Sequence, residues 1–288
     1  LIVGCGDVGL RVLRQLQGRW RVLVLNRTPD RRELLRAAGA MPLQGDLDDA
    51  GTLGRLAALA DAVLHLAPPP AQGVTDARTH ALMRALARAG RVRRIVYAST
   101  TGVYGDCGGA WIDETRPLRP ATDRARRRAD AEALVRHFGR TSGARVTILR
   151  VPGIYAFDRD GGDPRDRVRR GTPALVAAHD VYTNHIHADD LARACVLALH
   201  RGPNQRAIHV NDDSTLRAGE HFDRVALLAG LPPVPRLTRE QAARELSPMQ
   251  FSFLGESRRL LNRRLKRELR LQLRYPSVDD AFRRLASA

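Results

Sequence analysis

The feature that most constrains this chain is GCGDVG at residues 4–9, set between a short apolar run, Leu1 to Val3, and a helical segment. A GxGxxG in that position asks three things of the backbone: a tight turn at Gly4, close approach of another group at Gly6, and close helix–strand packing at Gly9. The helix start, at Asp7 and Val8, then presents unpaired N–H groups that suit a pyrophosphate. A βα turn that is tight for packing reasons alone is the plainer alternative.

The rest of the first half keeps the same rhythm. β-rich runs at 21–26, 41–43, 62–67, 93–99 and 145–151 alternate with helical segments near 8–17, 30–38, 50–59, 75–89 and 123–138. Between 75 and 89, Ala77, Ala81, Leu82, Ala85, Leu86 and Ala89 recur at three- and four-residue spacing, the period of an amphipathic helix. Repeated βα units require a parallel sheet covered by helices on both faces. The expected class is therefore α/β, a Rossmann-type doubly wound parallel sheet over residues 1–155. Residues 156–288 read mainly as a small, interleaved C-terminal lobe, with 180–211 contributing back to the sheet. Within it, 158–171 reads as a charged loop, Asp189 or Asp190 as a helix cap, and 258–273 as an amphipathic helix with Leu261, Leu265 and Leu269 on its apolar stripe.

Composition removes several classes. Three cysteines, Cys5, Cys107 and Cys195, make no disulfide framework, which points to a reduced, cytoplasmic compartment. No apolar run approaches the roughly 20 residues that cross a bilayer, so no membrane partner is expected. The chain opens on a strand, so a start methionine and a few residues are expected to precede it. The net charge of +17 comes from 48 basic and 31 acidic side chains, with Lys266 the sole lysine. The arginines are spread along the chain and charge alone supports nucleic-acid binding, so that partner is not expected. His185, His187, Asp189 and Asp190 superficially suggest a metal site, but the aspartates are wanted at a helix start, and no metal is expected.

Cofactor preference is read at the end of the second strand, where an NAD site usually carries an acid for the ribose hydroxyls. Here LNRTPDRR at 25–32 puts Asn26 at that place and Arg27 after it, with no acid between Asp7 and Asp30. An arginine fork suits a 2′-phosphate, with Arg31 assisting, so NADP is expected over NAD. Asp46 and Leu47 in GDLDD border the adenine. Leu66, Ala67, Pro68 and Pro69 in HLAPP end the fourth strand where a cofactor crosses the sheet edge; proline, with no N–H, holds the chain away from helix geometry there.

Together GCGDVG, GDLDD, HLAPP, VYASTTGVYGD at 96–106, LRVPGIY at 149–155 and HIHADDLARA at 185–194 resemble the extended short-chain dehydrogenase/reductase superfamily, most closely its atypical epimerase/dehydratase-like members. The resemblance implies a Rossmann domain with a small substrate lobe, and a homodimer formed through the helices at 75–89 and 123–138. It places Ser99, Val151, Pro152 and Gly153 at the cofactor and Thr100, Thr101 and Tyr104 at the reacting centre. It also implies a YxxxK pair four residues before an acid on the helix at 123–138. Counting back from Glu132 puts Arg128 at the lysine place and Arg124 at the tyrosine place, and none of the five tyrosines has a lysine four residues later. An arginine stays protonated, so neither side chain can act as a general base or proton donor. Arg124 is then expected to bind an anion and Arg128 to keep the lysine's contact with the cofactor. The resulting expectation is an NAD(P)-binding oxidoreductase or epimerase acting on a small polar substrate, a nucleotide sugar or another anion. A non-catalytic NAD(P)-binding sensor is the alternative.

Overall fold

Seven strands form the central sheet of the structure, a computed structural model that describes residues 1–287; Ala288, the end of the second lobe as read from the sequence, lies outside the described residues. They are β1 (Ile2–Val3), β2 (Leu23–Asn26), β3 (Met41–Gln44), β4 (Ala62–His65), β5 (Arg94–Thr100), β7 (Arg145–Val151) and β11 (Arg206–His209), while the short strands β6 (Trp111–Ile112), β8 (Gly153–Tyr155), β9 (Ala174–Leu175) and β10 (His185–His187) pair outside it. The sheet runs β11-β7-β5-β4-β1-β2-β3, with every pairing parallel. The order reverses about β1, and a doubly wound sheet offers its ligand crevice at that switch point.

Helices α1 (Asp7–Leu16), α2 (Arg32–Ala37), α3 (Ala77–Ala87), α4 (Asp123–Ser142) and α6 (Ala188–Arg201) flank it, and α5 (Pro164–Arg169) and α7 (Ala218–Ala229) pack together beside it. Val12, Leu13, Leu16, Leu191 and Cys195, from α1 and α6, fill one core with Ile2, Val24 and Leu64. Leu82, Leu86, Ala131 and Val135, from α3 and α4, fill the other with Val63, Ile95 and Ile148. Strands buried on both faces need the continuous Val/Ile/Leu runs that the sequence carries. A third core of Tyr155, Val168, Val225, Val234 and Ala281 belongs to the later segments. No helix among the described residues is long and apolar enough to cross a membrane.

Three local readings are corrected. The stretch at 158–171 is not all loop: Asp163 accepts from the Arg165 N–H at 2.9 Å and starts α5, with Pro164 at its first position. Neither Asp189 nor Asp190 caps α6. The His187 imidazole does, accepting from the Asp189 N–H, while buried Asp190 accepts from the backbone of Arg274 and Tyr275 at 2.9 Å each and ties down the tail. Residues 258–273 are helical only over Arg263–Arg267. Before that helix Arg259–Leu260 pairs with β6, and after it Arg270 turns with φ 47°. Leu265 and Leu269 still bury fully, so the apolar spacing was right and the regular helix was not.

Candidate active site

The glycine turn shows the tight turn asked of Gly4 and the close packing asked of Gly9, and it leaves Gly6 open. Gly4 has φ +87°, and a Cβ there would collide with the backbone of Ala67; one at Gly6 would meet nothing within 4 Å; one at Gly9 would press on Cys5 Sγ at 3.1 Å. Gly4 therefore lets β1 pass close beneath the β4 loop, Gly9 seats α1 on the sheet, and Gly6 leaves its side open for a ligand. No side chain caps α1 at Gly6, so its first-turn amides keep their hydrogen-bonding capacity. A cavity of about 460 Å³ opens there, lined by Gly4, Gly6, Asn26, Arg27, Arg31, Asp46, Leu47, Leu66, Ala67 and Pro68. Asp7 and Val8 do not line it. The Asp7 carboxylate instead pairs with Arg11 at 3.1 Å and Arg159 at 3.0 Å.

Arg78, which no motif marked, braces this cavity. From α3 it grips Asp48 with two nitrogens at 2.6 and 2.7 Å and donates to the Pro68 and Pro69 carbonyls at 3.3 and 3.4 Å. The guanidinium beside it holds the Asp48 carboxyl below the usual carboxylate range.

A second cavity, about 540 Å³, lies next to the first, and Pro68 lines both. Its wall includes Pro69, Thr100, Thr101, Arg124, Arg128, Pro152 and Gly153 from the sequence reading. It also includes Arg258, one of two tail arginines the sequence offers to a substrate, and Arg127, Tyr182, Thr183, Asn184 and Glu256, which the sequence reading missed. Thr100 Oγ1 accepts from the Gly102 N–H at 3.3 Å, at the point where β5 ends in a 3₁₀ turn. The α4 residues arrive because Thr122 caps that helix and Glu132 is anchored underneath it. Glu132 takes Ser99 Oγ at 2.6 Å and Arg150 Nη2 at 2.8 Å, so the helix register is fixed by a buried polar knot. One turn earlier, Arg128 Nη1 donates to the Ala98 carbonyl at 2.9 Å and to the Tyr97 hydroxyl at 3.1 Å. Arg127, also buried, donates to the Gly73 carbonyl, and Arg258 pairs with Glu256 at 2.6 Å.

Several expected site residues stand away from both cavities. Ser99 is sealed under Glu132, and Val151 is buried in the sheet core. Tyr104 is 1% exposed; its hydroxyl lies 2.6 Å from His209 Nε2 and accepts from Arg150 Nη1 at 2.5 Å. Burial pushes its phenol up to about 12. His65 and Tyr155 are buried as well, and burial holds the His65 imidazole down to about 3. His185 stacks on His221 at 3.9 Å and His187 on Tyr275 at 3.6 Å, so both imidazoles serve packing.

A parallel doubly wound sheet, an open glycine turn and two adjacent cavities at the strand ends define a dinucleotide-binding enzyme of the oxidoreductase or epimerase kind. The chain belongs to the NAD dependent epimerase/dehydratase family, whose model matches residues 1–211. It is 29% identical over 244 residues to protein YeeZ of Escherichia coli, covering 81% of this chain and 84% of that one. A solved structure of a functionally unknown conserved protein from Silicibacter pomeroyi superposes with TM-score 0.81 at 31% identity, covering 99% of this chain and 97% of that one. The dTDP-glucose 4,6-dehydratase of Streptomyces venezuelae, solved with NAD, gives TM-score 0.76 at 22% identity over 98% and 94% of the two chains.

These matches correct the expectation of NADP. The family is NAD-dependent, and that dehydratase structure and two further similar ones, from Bacillus species, hold NAD. Arg27 and Asp46 line the same cavity, so the wall there carries both signs of charge. Asn26 donates its amide N–H to the Thr28 carbonyl and keeps its amide oxygen, an acceptor for a ribose hydroxyl where NAD sites more often use an acid.

Proposed function

We propose that the protein binds NAD along the adjacent cavities and acts as an oxidoreductase or epimerase on a small polar anion, with a nucleotide sugar as the leading substrate class. The observation that carries this reading is the adjacency, at Pro68, of the open glycine turn's cavity and an arginine-lined chamber. The turn at Gly4, Gly6 and Gly9, with the first amides of α1, fits a pyrophosphate. Asn26, Asp46 and Leu47 fit the adenosine, and Arg128 fits the nicotinamide ribose. The nicotinamide would supply or accept a hydride. Thr100 and Thr101 orient the reacting oxygen; because Thr100 Oγ1 already accepts from Gly102, its own proton is left to donate. Arg124, Arg127 and Arg258 face the substrate, where guanidinium groups favour phosphate or carboxylate.

The reading extends to the whole chain. Residues 1–155 hold the cofactor, and 156–288 mainly form the substrate lobe, with 180–211 returning to the sheet. The molecule works as a cytoplasmic homodimer without a nucleic-acid partner.

The test is calorimetric titration with NAD, then with NADP, followed by turnover of nucleotide sugars and small carbonyl compounds. NAD should bind more tightly, and at least one anionic substrate should be converted. The arginines at 124 and 128 favour one second reading, a sensor that binds NAD without turnover. Intact NAD binding with no conversion of any substrate would select it.

A further inference from the structure

The chamber lacks a tyrosine at position 124, yet a carbonyl or alcohol reaction there needs a group that exchanges a proton. Among the described residues no histidine or cysteine lines it, and guanidinium groups stay charged. Glu256 is taken up by Arg258 at 2.6 Å. The threonine hydroxyls are too weakly acidic to serve alone. One phenol remains.

We propose, on the reading of the protein as an oxidoreductase or epimerase, that Tyr182 is the proton-transfer residue, delivered from the far wall of the chamber by the segment preceding β10. The other phenols are placed elsewhere. Tyr97, Tyr104 and Tyr155 are at most 3% exposed, and Tyr275 stacks on His187 outside the chamber. Tyr182 is half-buried and lines the same cavity as Thr100 and Thr101.

Its ring is held rather than loose. Arg259 lies 4.5 Å and Arg217 5.4 Å from the ring centroid, distances of cation–π contact. The Tyr182 N–H donates to Ser257 Oγ at 3.0 Å. The ring also lies over Gly109, where a Cβ would come within 3.1 Å of Tyr182 Cδ2. The two guanidinium groups hold the ring in place at the chamber wall.

In the reducing direction a bound reduced nicotinamide dinucleotide would supply the hydride to the substrate carbonyl carbon. The carbonyl π pair moves onto oxygen, and the Tyr182 O–H bond breaks to protonate it. Water then returns a proton to the phenolate, so charge and electrons balance. Oxidation runs the same transfers in reverse.

The experiment pairs Tyr182→Phe, which keeps the ring and its cation contacts, with nitration of the wild-type protein by tetranitromethane. Tyr182→Phe should lower kcat by about 10²–10⁴-fold, with KM and NAD affinity changed less than about threefold. Nitration should map to Tyr182 ahead of Tyr97, Tyr104 and Tyr155, and the nitrophenol absorbance should shift when NAD is added. Unchanged kcat in Tyr182→Phe, or a nitrated Tyr182 whose absorbance ignores bound NAD, overturns the proposal and leaves the functional reading standing. A wild-type protein that converts no substrate overturns both.

Discussion

Arg128 sets its Nη1 3.1 Å from the hydroxyl of Tyr97, and the same nitrogen donates to the Ala98 carbonyl at 2.9 Å. One edge of the guanidinium is thereby locked to the end of β5 while the side chain still lines the chamber. A lysine offers three donors from a single point; this arginine anchors itself with one nitrogen and keeps others for a ligand. Arg128→Ala should weaken NAD binding by about 1.5–3 kcal/mol, the worth of hydrogen bonds to a charged group. Arg124→Ala should leave NAD affinity intact and weaken only the substrate anion. Titration calorimetry on both variants checks this, and equal NAD affinity in Arg128→Ala would return that side chain to a purely structural part.

The glycines divide into two kinds, and substitution should separate them. Gly4→Ala forces a Cβ into the Ala67 backbone at a positive φ, so it should cost stability, by about 2–4 kcal/mol from strain and overpacking. Gly6→Ala has free space in the protein and should fold nearly as well as wild type, but its methyl occupies the ligand's side of the turn and should reduce NAD affinity at least tenfold. Thermal melts with and without NAD distinguish the two. Equal melting temperatures for both variants would contradict the assignment.

The glycine turn was legible in the sequence because its demands are local: three sterically distinct positions within six residues of one strand–helix junction. The strands were legible because burial on both faces leaves continuous apolar runs. The segment 258–273 was not, because Leu261, Leu265 and Leu269 satisfy a helical period while Leu260 is drawn into pairing with β6, more than a hundred residues earlier in the chain. Arg78, Arg127, Tyr182 and Arg258 carry no motif. They reach the site only through the packing of α3, α4 and the late segments. Tyr104 misled for the opposite reason: its motif is local, but Arg150 and His209, which bury its hydroxyl, arrive from β7 and β11.

Stability should respond to pH through opposing buried groups. Burial pushes the Asp212 carboxyl from 3.8 up to about 7. A folded pKa above the unfolded one means stability that is present below pH 3.8 and lost as pH rises through 7. Burial holds His65 and His209 down to about 3, and His185 to about 4, from 6.5. Their contribution runs the other way: it is present above pH 6.5 and lost as pH falls towards 4. Asp212→Asn removes the opposing slope, so its stability should climb more steeply between pH 5 and 7 than that of wild type. Between pH 4 and pH 8 the variant should gain of order 2–4 kcal/mol more stability than wild type does. Urea denaturation across pH 4–8 measures both slopes, and parallel curves would refute the assignment.

Assembly through α3 and α4 has a charge condition. Exposed Ala77 and Ala133 would allow close approach of a second copy, but exposed Arg84, Arg126 and Arg140 share those helices. Arg126 is offset by Asp123 at 2.6 Å, which leaves Arg84 and Arg140 as the principal repulsive groups. A dimer formed this way should tighten as salt screens them. Light scattering across concentration and salt should show a mass of twice 31.8 kDa, growing more persistent with salt; a constant single-chain mass would exclude this homodimer.

The knot under α4 gives the sharpest stability prediction. Glu132 and Arg150 are 2% and 4% exposed and meet through two hydrogen bonds, at 2.8 and 3.1 Å. Arg150 also donates to the Tyr104 hydroxyl and the Glu114 carbonyl, and Glu132 accepts from Ser99. Removing one charge strands the other in a medium that cannot solvate it, which costs about 3–5 kcal/mol; replacing both with apolar groups of similar volume removes most of that cost. Glu132→Gln should therefore be strongly destabilised, and Glu132→Leu with Arg150→Met should recover much of the loss. The double variant should nonetheless bind NAD poorly, because Glu132 also sets the register that brings Arg128 to the end of β5. Denaturant titration together with NAD calorimetry on the three proteins reads stability and register separately. Full NAD affinity in the double variant would show that packing alone aligns α4 and that the ion pair serves stability only.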